Sequence, residues 1–412
     1  MVTVSKPLRG VTAAQTHSAI LDLIRSGGVV SRVELADLSG LTEASISRIV
    51  RQMLTDGLVA EIGTGDRTGG KRRTLLQLNA GSRHAVGVAL DFARVTYVVT
   101  DLGGTVVARA DGEGIGMAAP GDVVPRLAAE LDDLVSSAGV DRSSLMGVGV
   151  AAAGRQDSAH RVLRSNPDAS DWELFDIEDA LSGATGLPVV VENDSTCAAI
   201  GEYWVGRIPA SADFATVYLA TGFGLGLVTG GDVYRGASSN VGEIGHMVLD
   251  IDGPPCWCGS RGCLEVLAAP RRIVALAIER GLAGELALRG EEGTVREDSD
   301  RVARAAAAGH AEALPVIEES ARHLARALVS LTNLLDLGRI ILAGPGFAAA
   351  GEIYLRQARE DLQRLSFVRA VHPTTVSLSA FSDVSAALGA ATLVLHSRLT
   401  PHQTSSRLAL AR

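Results

Sequence analysis

Three cysteines stand within eight residues of this chain, and they restrict its possible folds more than any other local feature does. Cys256, Cys258 and Cys263 lie in the segment Cys-Trp-Cys-Gly-Ser-Arg-Gly-Cys, and His246 precedes them by ten residues. Cysteines this close cannot form separate structural disulfides, and the alternative of buried free cysteines finds little apolar packing between them. One histidine and three thiolates can complete a tetrahedral Zn2+ shell with no open position. The sequence therefore predicts a structural zinc loop in a reducing, cytoplasmic compartment.

Length and composition indicate a globular protein of two or three domains. The 412 residues are 47% hydrophobic and include 46 glycines and only four cysteines, which excludes disordered, collagenous and disulfide-stapled chains. The N-terminus lacks an apolar signal core, and the longest uncharged stretch, residues 214–231, contains five glycines. We therefore expect no membrane partner.

Charge divides the chain into a basic head and an acidic body. Residues 1–80 contain ten Lys/Arg and seven Asp/Glu, a balance of +3, whereas the rest contains 28 and 40, a balance of −12. An acidic body repels nucleic acid over most of its surface. Any contact with DNA is therefore expected in the head.

The head carries the start and stop signals of three helices. Apolar spacing predicts the first over 13–26, before Gly27-Gly28, and a Ser31/Glu34 capping box begins the second. Thr42 caps the third, whose buried stripe is Ile46, Ile49, Val50, Met53 and Leu54. Its opposite face presents Ala44, Ser45, Ser47, Arg48, Arg51 and Gln52. Two helices joined by a short glycine turn, the second with small polar and arginine side chains, are typical of a helix-turn-helix that reads a major groove.

Two short strands follow the third helix and complete the head. Residues 58–62 and 74–78 alternate as strands do, and the loop between them ends in Lys71, Arg72 and Arg73. Three cations at the tip of a hairpin can contact phosphates or the minor groove. The pattern predicts a winged helix-turn-helix, although a small helical cap with a solvated basic loop is the alternative. Arg48 and Arg51 are the best candidates for base or phosphate contacts.

The body shows one pattern twice. Strands are predicted over 86–90 and 95–100 and from Thr105 onward, and the same strand and turn order returns over 215–233. Such a repeat predicts two similar α/β lobes around a cleft. A helix-rich stretch over 301–337 is expected to form core.

Polar residues follow two buried strands in the first half of the body. Gly154-Arg155 ends one apolar run, and Glu192-Asn193-Asp194 ends the next. Ligands of α/β proteins bind where strands end, so we expect a binding site there. Farther on, Gly222, Gly224 and Gly226 alternate along a strand pair; either they allow close approach of a ligand or they serve only the packing.

These motifs resemble those of the ROK family of repressors, open reading frames and sugar kinases. The resemblance covers essentially the whole chain and rests on Glu192-Asn193-Asp194, on Glu243-x-Gly-His246 and on Cys-x-Cys-Gly-x-x-Gly-Cys-x-Glu. It implies the α/β fold class of the repressor branch, a winged helix-turn-helix over 1–80 and an actin-like (ribonuclease H-like) sugar kinase fold over 81–396. The lobe boundary is then expected near 195, with a C-terminal helix that returns to the first lobe and a loose tail over 397–412.

The resemblance also implies roles for single residues. Sugar hydroxyls would be bound by Asn193, Asp194, Glu243, His246 and Glu265, and the same pocket would be lined by Gly154 and Arg155. Asp194 matches the catalytic base of the kinases. The zinc ligands of the family correspond to His246, Cys256, Cys258 and Cys263, so that His246 would contact both the metal and the sugar.

The chain departs from the kinases where they bind nucleotide. Kinases have an Asp-x-Gly-Gly-Thr loop whose N–H groups reach the phosphates, but Asp91 to Val95 reads Asp-Phe-Ala-Arg-Val. We expect Arg94 to fill the phosphate space. A literal Asp-Leu-Gly-Gly-Thr at 101–105 is interpreted as a turn between strands, and Pro345 interrupts the glycine turn expected for adenosine.

Without a phosphate cradle, a kinase reaction lacks its means of positioning the phosphoryl group. The sequence therefore predicts no enzyme but a regulator, a repressor that binds operator DNA as a dimer or dimer of dimers and senses a sugar or sugar derivative. Two alternatives stay open: an active ATP-dependent hexose kinase with Asp194 as base, and an adaptor that responds to a sugar-transporter component.

Overall fold

A computed structural model describes residues 13–64, 73–157, 162–164, 172, 175–206, 208 and 212–399. Within these residues, no helix combines the length and the apolar character that crossing a membrane requires.

The N-terminal unit combines three helices with a three-stranded antiparallel sheet. The helices are α1 (Ala13–Gly27), α2 (Arg32–Ser39) and α3 (Glu43–Thr55), and the strands are β1 (Val29–Ser31), β2 (Val59–Thr64) and β3 (Thr74–Leu78), in the order β1-β3-β2. The predicted caps are confirmed: Ser31 and Glu34 form a capping box, and the Thr42 hydroxyl accepts a bond from the Ser45 N–H. Strand β1 was not predicted, because three residues are too few to show alternation.

The core of this unit lies where the three helices meet. Ile46, Val50 and Met53 of α3 are fully buried, as their spacing predicts. Leu35 is the buried apolar residue of α2, and it packs in the same cluster.

The first lobe of the body is a five-stranded sheet. Its strands are β4 (His84–Leu90), β5 (Arg94–Asp101), β6 (Val106–Glu113), β7 (Leu145–Ala152) and β10 (Val189–Asn193), in the order β10-β7-β4-β5-β6. The short strands β8 (Arg155–Asp157) and β9 (Val162–Arg164) pair with each other. Helices α4 (Pro120–Ser137) and α5 (Ile177–Thr185) bury their apolar faces on this lobe.

The second lobe repeats the same topology. Its strands are β11 (Phe214–Leu219), β12 (Phe223–Thr229), β13 (Asp232–Val233), β14 (Arg339–Ala343) and β15 (Thr375–Leu378), in the order β13-β12-β11-β14-β15. Its helices are α7 (Leu264–Ala268), α8 (Pro270–Glu279), α9 (Val295–Ala307), α10 (Ala313–Leu335) and α11 (Gly351–Leu365). In both lobes an antiparallel hairpin continues into parallel strands, so the repeat read from the sequence is one sheet topology used twice.

Two helices cross between the lobes, α6 (Asp194–Val205) and α12 (Ser385–Leu399). Glycines permit the contact: a Cβ on Gly389 would lie 1.6 Å from the carbonyl oxygen of Cys197. Helix α12 returns to the first lobe, where a Cβ on Gly87 or Gly149 would meet its backbone within 2.0 Å. It includes residues 397–399, the first three residues of the expected tail, and residues 400–412 lie outside the described chain.

The alternating glycines of β12 have the same packing role. A Cβ on Gly224 would lie 2.8 Å from the Ser195 side chain, and one on Gly226 would lie 2.4 Å from the Ser195 carbonyl oxygen. Both glycines therefore face α6, and they allow that helix to lie directly on the sheet of the second lobe.

Candidate functional site

Three parallel strands of the first lobe end at one edge of their sheet. Strand β4 pairs in parallel with β7, and β7 with β10, so Asp91, Gly154 and Asn193 follow or end strands at the same side. The Asn193 Nδ2 group donates to the Gly154 carbonyl oxygen at 3.4 Å. The two strand-end motifs predicted from the sequence thus come together.

Asn193 is the N-cap of α6. Its Oδ1 atom accepts bonds from the Ser195 N–H at 3.0 Å, the Ser195 hydroxyl at 2.6 Å and the Thr196 N–H at 3.2 Å. The cap satisfies N–H groups that the first turn of a helix leaves without partners. It also places Asp194 as the first helical residue, at the strand-end edge.

Burial destabilises the charged form of the Asp194 carboxylate. Burial, together with the nearby carboxylates of Asp91 and Glu243, raises its pKa from 3.8 to about 6, although the Ser195 N–H bond at 2.7 Å opposes the shift. A partly buried acceptor with a pKa near neutrality is suited to bind or deprotonate a hydroxyl group. Asp91 and Glu243 therefore belong to the same electrostatic site as Asp194.

Glu265 reaches the site from the second lobe. It lies in the first turn of α7, and its Oε2 atom accepts the Phe223 N–H at 3.0 Å. Burial raises its pKa to about 7. A Cβ on Gly222 would lie 2.6 Å from Oε1 of Glu265, and one on Gly245 would lie 2.9 Å from Oε2, so both positions require glycine for this carboxylate to fit.

The loop before His246 is pressed against strand β12. Gly242 has a φ of +96°, and a Cβ there would lie 1.8 Å from the Leu225 carbonyl oxygen. The next residue, Glu243, precedes a 3-10 turn over Ile244–His246. This short path brings Glu243 near Asp194 and Glu265, whose pKa values it raises.

His246, Cys256, Cys258 and Cys263 form a group that could hold a metal ion. One ligand atom from each lies within 4.8 Å of the others. His246 turns Nδ1 toward Cys256 Sγ at 3.6 Å, and the sulfurs of Cys258 and Cys263 are 3.7 Å apart. The imidazole packs edge-on against the Trp257 ring, with centroids 4.8 Å apart. The four residues singled out by spacing are thus gathered in one place.

Two ion pairs reach residues beside this site, and sequence reasoning missed the arginine of each. Arg235, from the loop after β13, pairs with Glu192, whose side chain is only 5% exposed. Arg296 of α9 pairs with Asp91 at 3.3 Å, and both side chains are 14% exposed. Each pair joins the second lobe to the first. An isolated arginine gives no local signal of a partner in another lobe.

The turn over 91–95, which sequence analysis matched to the kinase phosphate loop, is held by that second pair. Asp91 also accepts the Ala93 N–H at 2.9 Å, which tightens the turn between β4 and β5. The prediction that Arg94 fills this space differs from the structure: the Arg94 Nε atom faces Asp111 of β6 at 3.7 Å, and Arg296 provides the guanidinium at Asp91. Arg94 is the first residue of β5, and its side chain lies toward the neighbouring strand β6.

The other glycine turns fall where the sequence suggested. Residues 101–105 form the turn between β5 and β6, where the Asp101 carboxylate accepts the Thr105 N–H at 2.8 Å. Gly344 has a φ of +102°, and a Cβ there would lie 2.4 Å from the Leu219 carbonyl oxygen. This turn joins the ends of β14 and β11.

The polar face of α3 is open to solvent. Ala44, Arg48, Arg51 and Gln52 are exposed, whereas Ser45 and Ser47 are half-buried. Arg73, just before β3, is half-buried, while Lys71 and Arg72 lie outside the described residues, as does the side chain of Arg155.

Comparisons with known proteins show which proteins this chain is similar to. A putative xylose repressor of Caldicellulosiruptor sp. (strain Rt8B.4) is 26% identical over 385 residues, which cover 92% of this chain and 95% of the relative. A solved ROK family transcriptional regulator, a homologue of the Escherichia coli MLC protein, has a TM-score of 0.72 at 23% identity over 95% of this chain and 99% of that chain.

A kinase of known structure is also similar. The ROK glucokinase of Streptomyces griseus, solved with glucose and AMPPNP, has a TM-score of 0.65 at 29% identity and covers 75% of this chain and 98% of its own. Both likenesses agree with an α/β sugar-kinase-like body. The profile described as the ROK family matches residues 87–397, and the chain therefore belongs to the ROK family.

Proposed function

We propose that this protein is a sugar-responsive transcriptional regulator, a repressor of genes for carbohydrate uptake or catabolism. The proposal rests on one observation: the same chain combines a basic helical head with a carboxylate-lined site between two lobes. The similarity to a putative xylose repressor over 92% of the chain supports it.

The head, residues 1–80, is a winged helix-turn-helix in this proposal. Helices α2 and α3 and the three-stranded sheet have the arrangement in which α3 enters a major groove and the β2–β3 hairpin contacts the backbone. The residues proposed to contact DNA are Ala44, Ser45, Ser47, Arg48, Arg51, Gln52, Lys71, Arg72 and Arg73. Exposure of Arg48 and Arg51 on the face opposite the buried stripe supports these roles.

The body, residues 81–396, binds a sugar in the cleft between its lobes. The proposed contacts are Gly154, Arg155, Asn193, Asp194, Glu243, His246 and Glu265. The carboxylates of Asp194 and Glu243 would accept hydrogen bonds from sugar hydroxyls, and Asn193 Nδ2 would donate one, since Asn193 Oδ1 is occupied as the cap of α6. Carboxylates and amides recognise the hydroxyls of a pyranose by hydrogen bonds.

Zinc is the metal that the donor set fits. Three thiolates and one imidazole are the ligands of closed structural Zn2+ sites, which neutralise the thiolates and hold the loop in place. Nδ1 of His246 is turned to the sulfurs, and Nε2 is the ring nitrogen proposed to contact the sugar. The loop from Glu243 to Glu265 would then be held at both ends.

A kinase with a DNA-binding head is the second candidate. Asp194, with a pKa of about 6, favours it, since such a group can accept a proton at neutral pH. The Arg296–Asp91 pair opposes it, because a guanidinium stands at the turn where kinases bind phosphate through glycine N–H groups. We propose that the ATP site is degenerate and that Asp194 serves to bind the sugar.

Regulation would follow from differential affinity. A sugar that binds the closed cleft more tightly than the open one shifts the population of the two states, and a dimer, or dimer of dimers, would convert this shift into a change of half-site spacing on a two-fold operator. A sugar-transporter component is the alternative effector.

Capture of genomic DNA by the purified protein tests the proposal. Enrichment of a two-fold symmetric site that D-xylose or D-glucose releases, but does not release from the Asp194→Asn variant, is the expected result. ATP-dependent phosphorylation of a hexose, lost in Asp194→Asn, would instead establish the kinase. Release only by a transporter subunit would refute the sugar as effector.

A further inference from the structure

A buried arginine joins the head to the body. Arg25 of α1 is 3% exposed, and its guanidinium carbon lies 4.5 Å from the centroid of the Trp204 ring and 5.3 Å from that of Tyr203. It also donates to the Trp204 carbonyl oxygen. Both aromatic residues belong to the last turn of α6, so this cation–π contact connects the head to one helix of the body.

Asp22 completes this contact between head and body, and we call Asp22, Arg25, Tyr203 and Trp204 together the joint. Its Oδ1 atom accepts Nη2 of Arg25 at 2.7 Å and Nε at 2.9 Å, and its Oδ2 atom accepts the Tyr203 hydroxyl at 3.2 Å. A buried charge that loses its partners is strongly penalised. The head therefore cannot rotate away from α6 without breaking a network that must remain satisfied.

Other parts of the body converge on the same point. The His396 ring of α12 packs edge-on against Trp204, with centroids 5.6 Å apart. In the β5–β6 turn, a Cβ on Gly104 would lie 2.7 Å from Val205 and 3.2 Å from Trp204. Both helices that cross between the lobes thus end at the joint, together with the turn that resembles a phosphate loop.

The opposite end of α6 forms the proposed sugar site. Asp194 is the first residue of the helix and Trp204 its eleventh, which places them about 15 Å apart along the axis at 1.5 Å per residue. Between them, α6 lies on β12 at Gly224 and Gly226 and on α12 at Gly389. A helix packed at backbone contact on two sides transmits strain along its length, because close-packed interiors are hardly compressible.

We propose that α6 transmits sugar binding to the DNA-binding head and that Arg25, with Asp22, is the positioning residue that receives it. This inference rests on the proposed function and names the route of its regulation. Movement of the first turn of α6 with Asp194 and the bound sugar displaces Trp204, and Arg25 carries that displacement into α1. Coupling between the two sites then requires this joint.

Two single-tryptophan proteins separate events at the two ends of α6. The chain has three tryptophans, Trp172, Trp204 and Trp257. A protein that retains only Trp257, beside His246, reports on the sugar site, and one that retains only Trp204 reports on the joint. Titration with D-xylose and D-glucose, with calorimetry in parallel, is expected to change both emissions with one Kd. A change of Trp257 without a change of Trp204 would overturn the proposal.

Variants then test the coupling itself, measured as the ratio of operator Kd with and without sugar. Such ratios are typically about 5 to 150. Arg25→Ala should bring the ratio to within about twofold of one while the sugar Kd stays unchanged. Tyr203→Phe, which removes only the bond to Asp22, should lower it partially and keeps the test valid if Arg25→Ala folds poorly.

Arg32→Ala is the matched control. Arg32 is an arginine of the head that pairs with Glu61 of β2 at 2.7 Å, within the same unit. It should leave the coupling ratio as in the wild type. Full coupling in Arg25→Ala and Tyr203→Phe would overturn the inference, whereas absence of any calorimetric sugar binding would refute the proposed function instead.

Discussion

Substitution of Gly389 by alanine should separate the two helices between the lobes. The new Cβ would lie 1.6 Å from the Cys197 carbonyl oxygen and 2.3 Å from its carbon, both backbone atoms that cannot rotate away. Helix α12 would have to withdraw by about 2 Å to restore an ordinary contact of about 3.5 Å.

The size of the effect follows from two opposing contributions. Alanine is favoured over glycine inside a helix by about 1 kcal/mol. Overpacking of a close-packed interior costs about 1 to 3 kcal/mol, and a clash with backbone belongs at the upper end, so the net loss should be about 2 kcal/mol. At about 2 to 4 °C per kcal/mol, the unfolding midpoint should fall by about 4 to 8 °C.

Gly183→Ala is the control that isolates the clash. Gly183 also lies in a helix, α5, but nothing stands within 4 Å of its added Cβ. This variant should be more stable than the wild type by about 0.5 to 1 kcal/mol. Thermal unfolding followed by circular dichroism compares the three proteins. If Gly389→Ala melts at or above the wild-type temperature, the helices are not packed at backbone contact and the reasoning is refuted.

Further predictions concern the proposed sites. Because burial raises the pKa of Asp194 from 3.8 to about 6, its contribution to stability is fully present below pH 3.8 and is lost as the pH rises through 6; Asp194→Asn should therefore be more stable than the wild type at pH 8 but not at pH 3.5, and an equal difference in urea unfolding at both pH values would contradict this. Gly245→Ala, whose Cβ would lie 2.7 Å from the Phe223 carbonyl oxygen, should weaken sugar binding at least about tenfold in calorimetry while operator binding without sugar stays unchanged. Cys258→Ser should abolish stoichiometric zinc measured by atomic emission and lower the unfolding midpoint; retained zinc would remove Cys258 from the site. Arg51→Ala should lower the salt slope of operator binding by about 1, and an unchanged slope would place this side chain outside the interface.

Local sequence patterns predicted the features that depend on residues close together in the chain. The caps at Ser31 and Thr42, the buried stripe of α3 and the cysteine cluster were predicted because hydrogen bonds within one turn, helical periodicity and ligand spacing are properties of a few consecutive residues. The strand-end motifs at Gly154 and Asn193 were placed correctly for a different reason: parallel strands bring their carboxyl ends to one edge. The repeated order of strands and turns, and then the resemblance to a known family, indicated the two lobes.

Only the tertiary structure decided which distant groups meet. Arg235 reaches Glu192 across 43 residues, Arg25 reaches Trp204 across 179, and Arg296 replaces the expected Arg94 at Asp91. Gly224, whose alternation with Gly222 and Gly226 allowed either ligand approach or packing, proved to be a point of helix contact, as did Gly389. The partner of a buried charge, or the atom that a missing Cβ leaves room for, depends on how lobes and helices pack. The sequence by itself therefore determined the elements and the chemistry of the site, and the packing of the two lobes decided its ion pairs, its glycine contacts and its connection to the head.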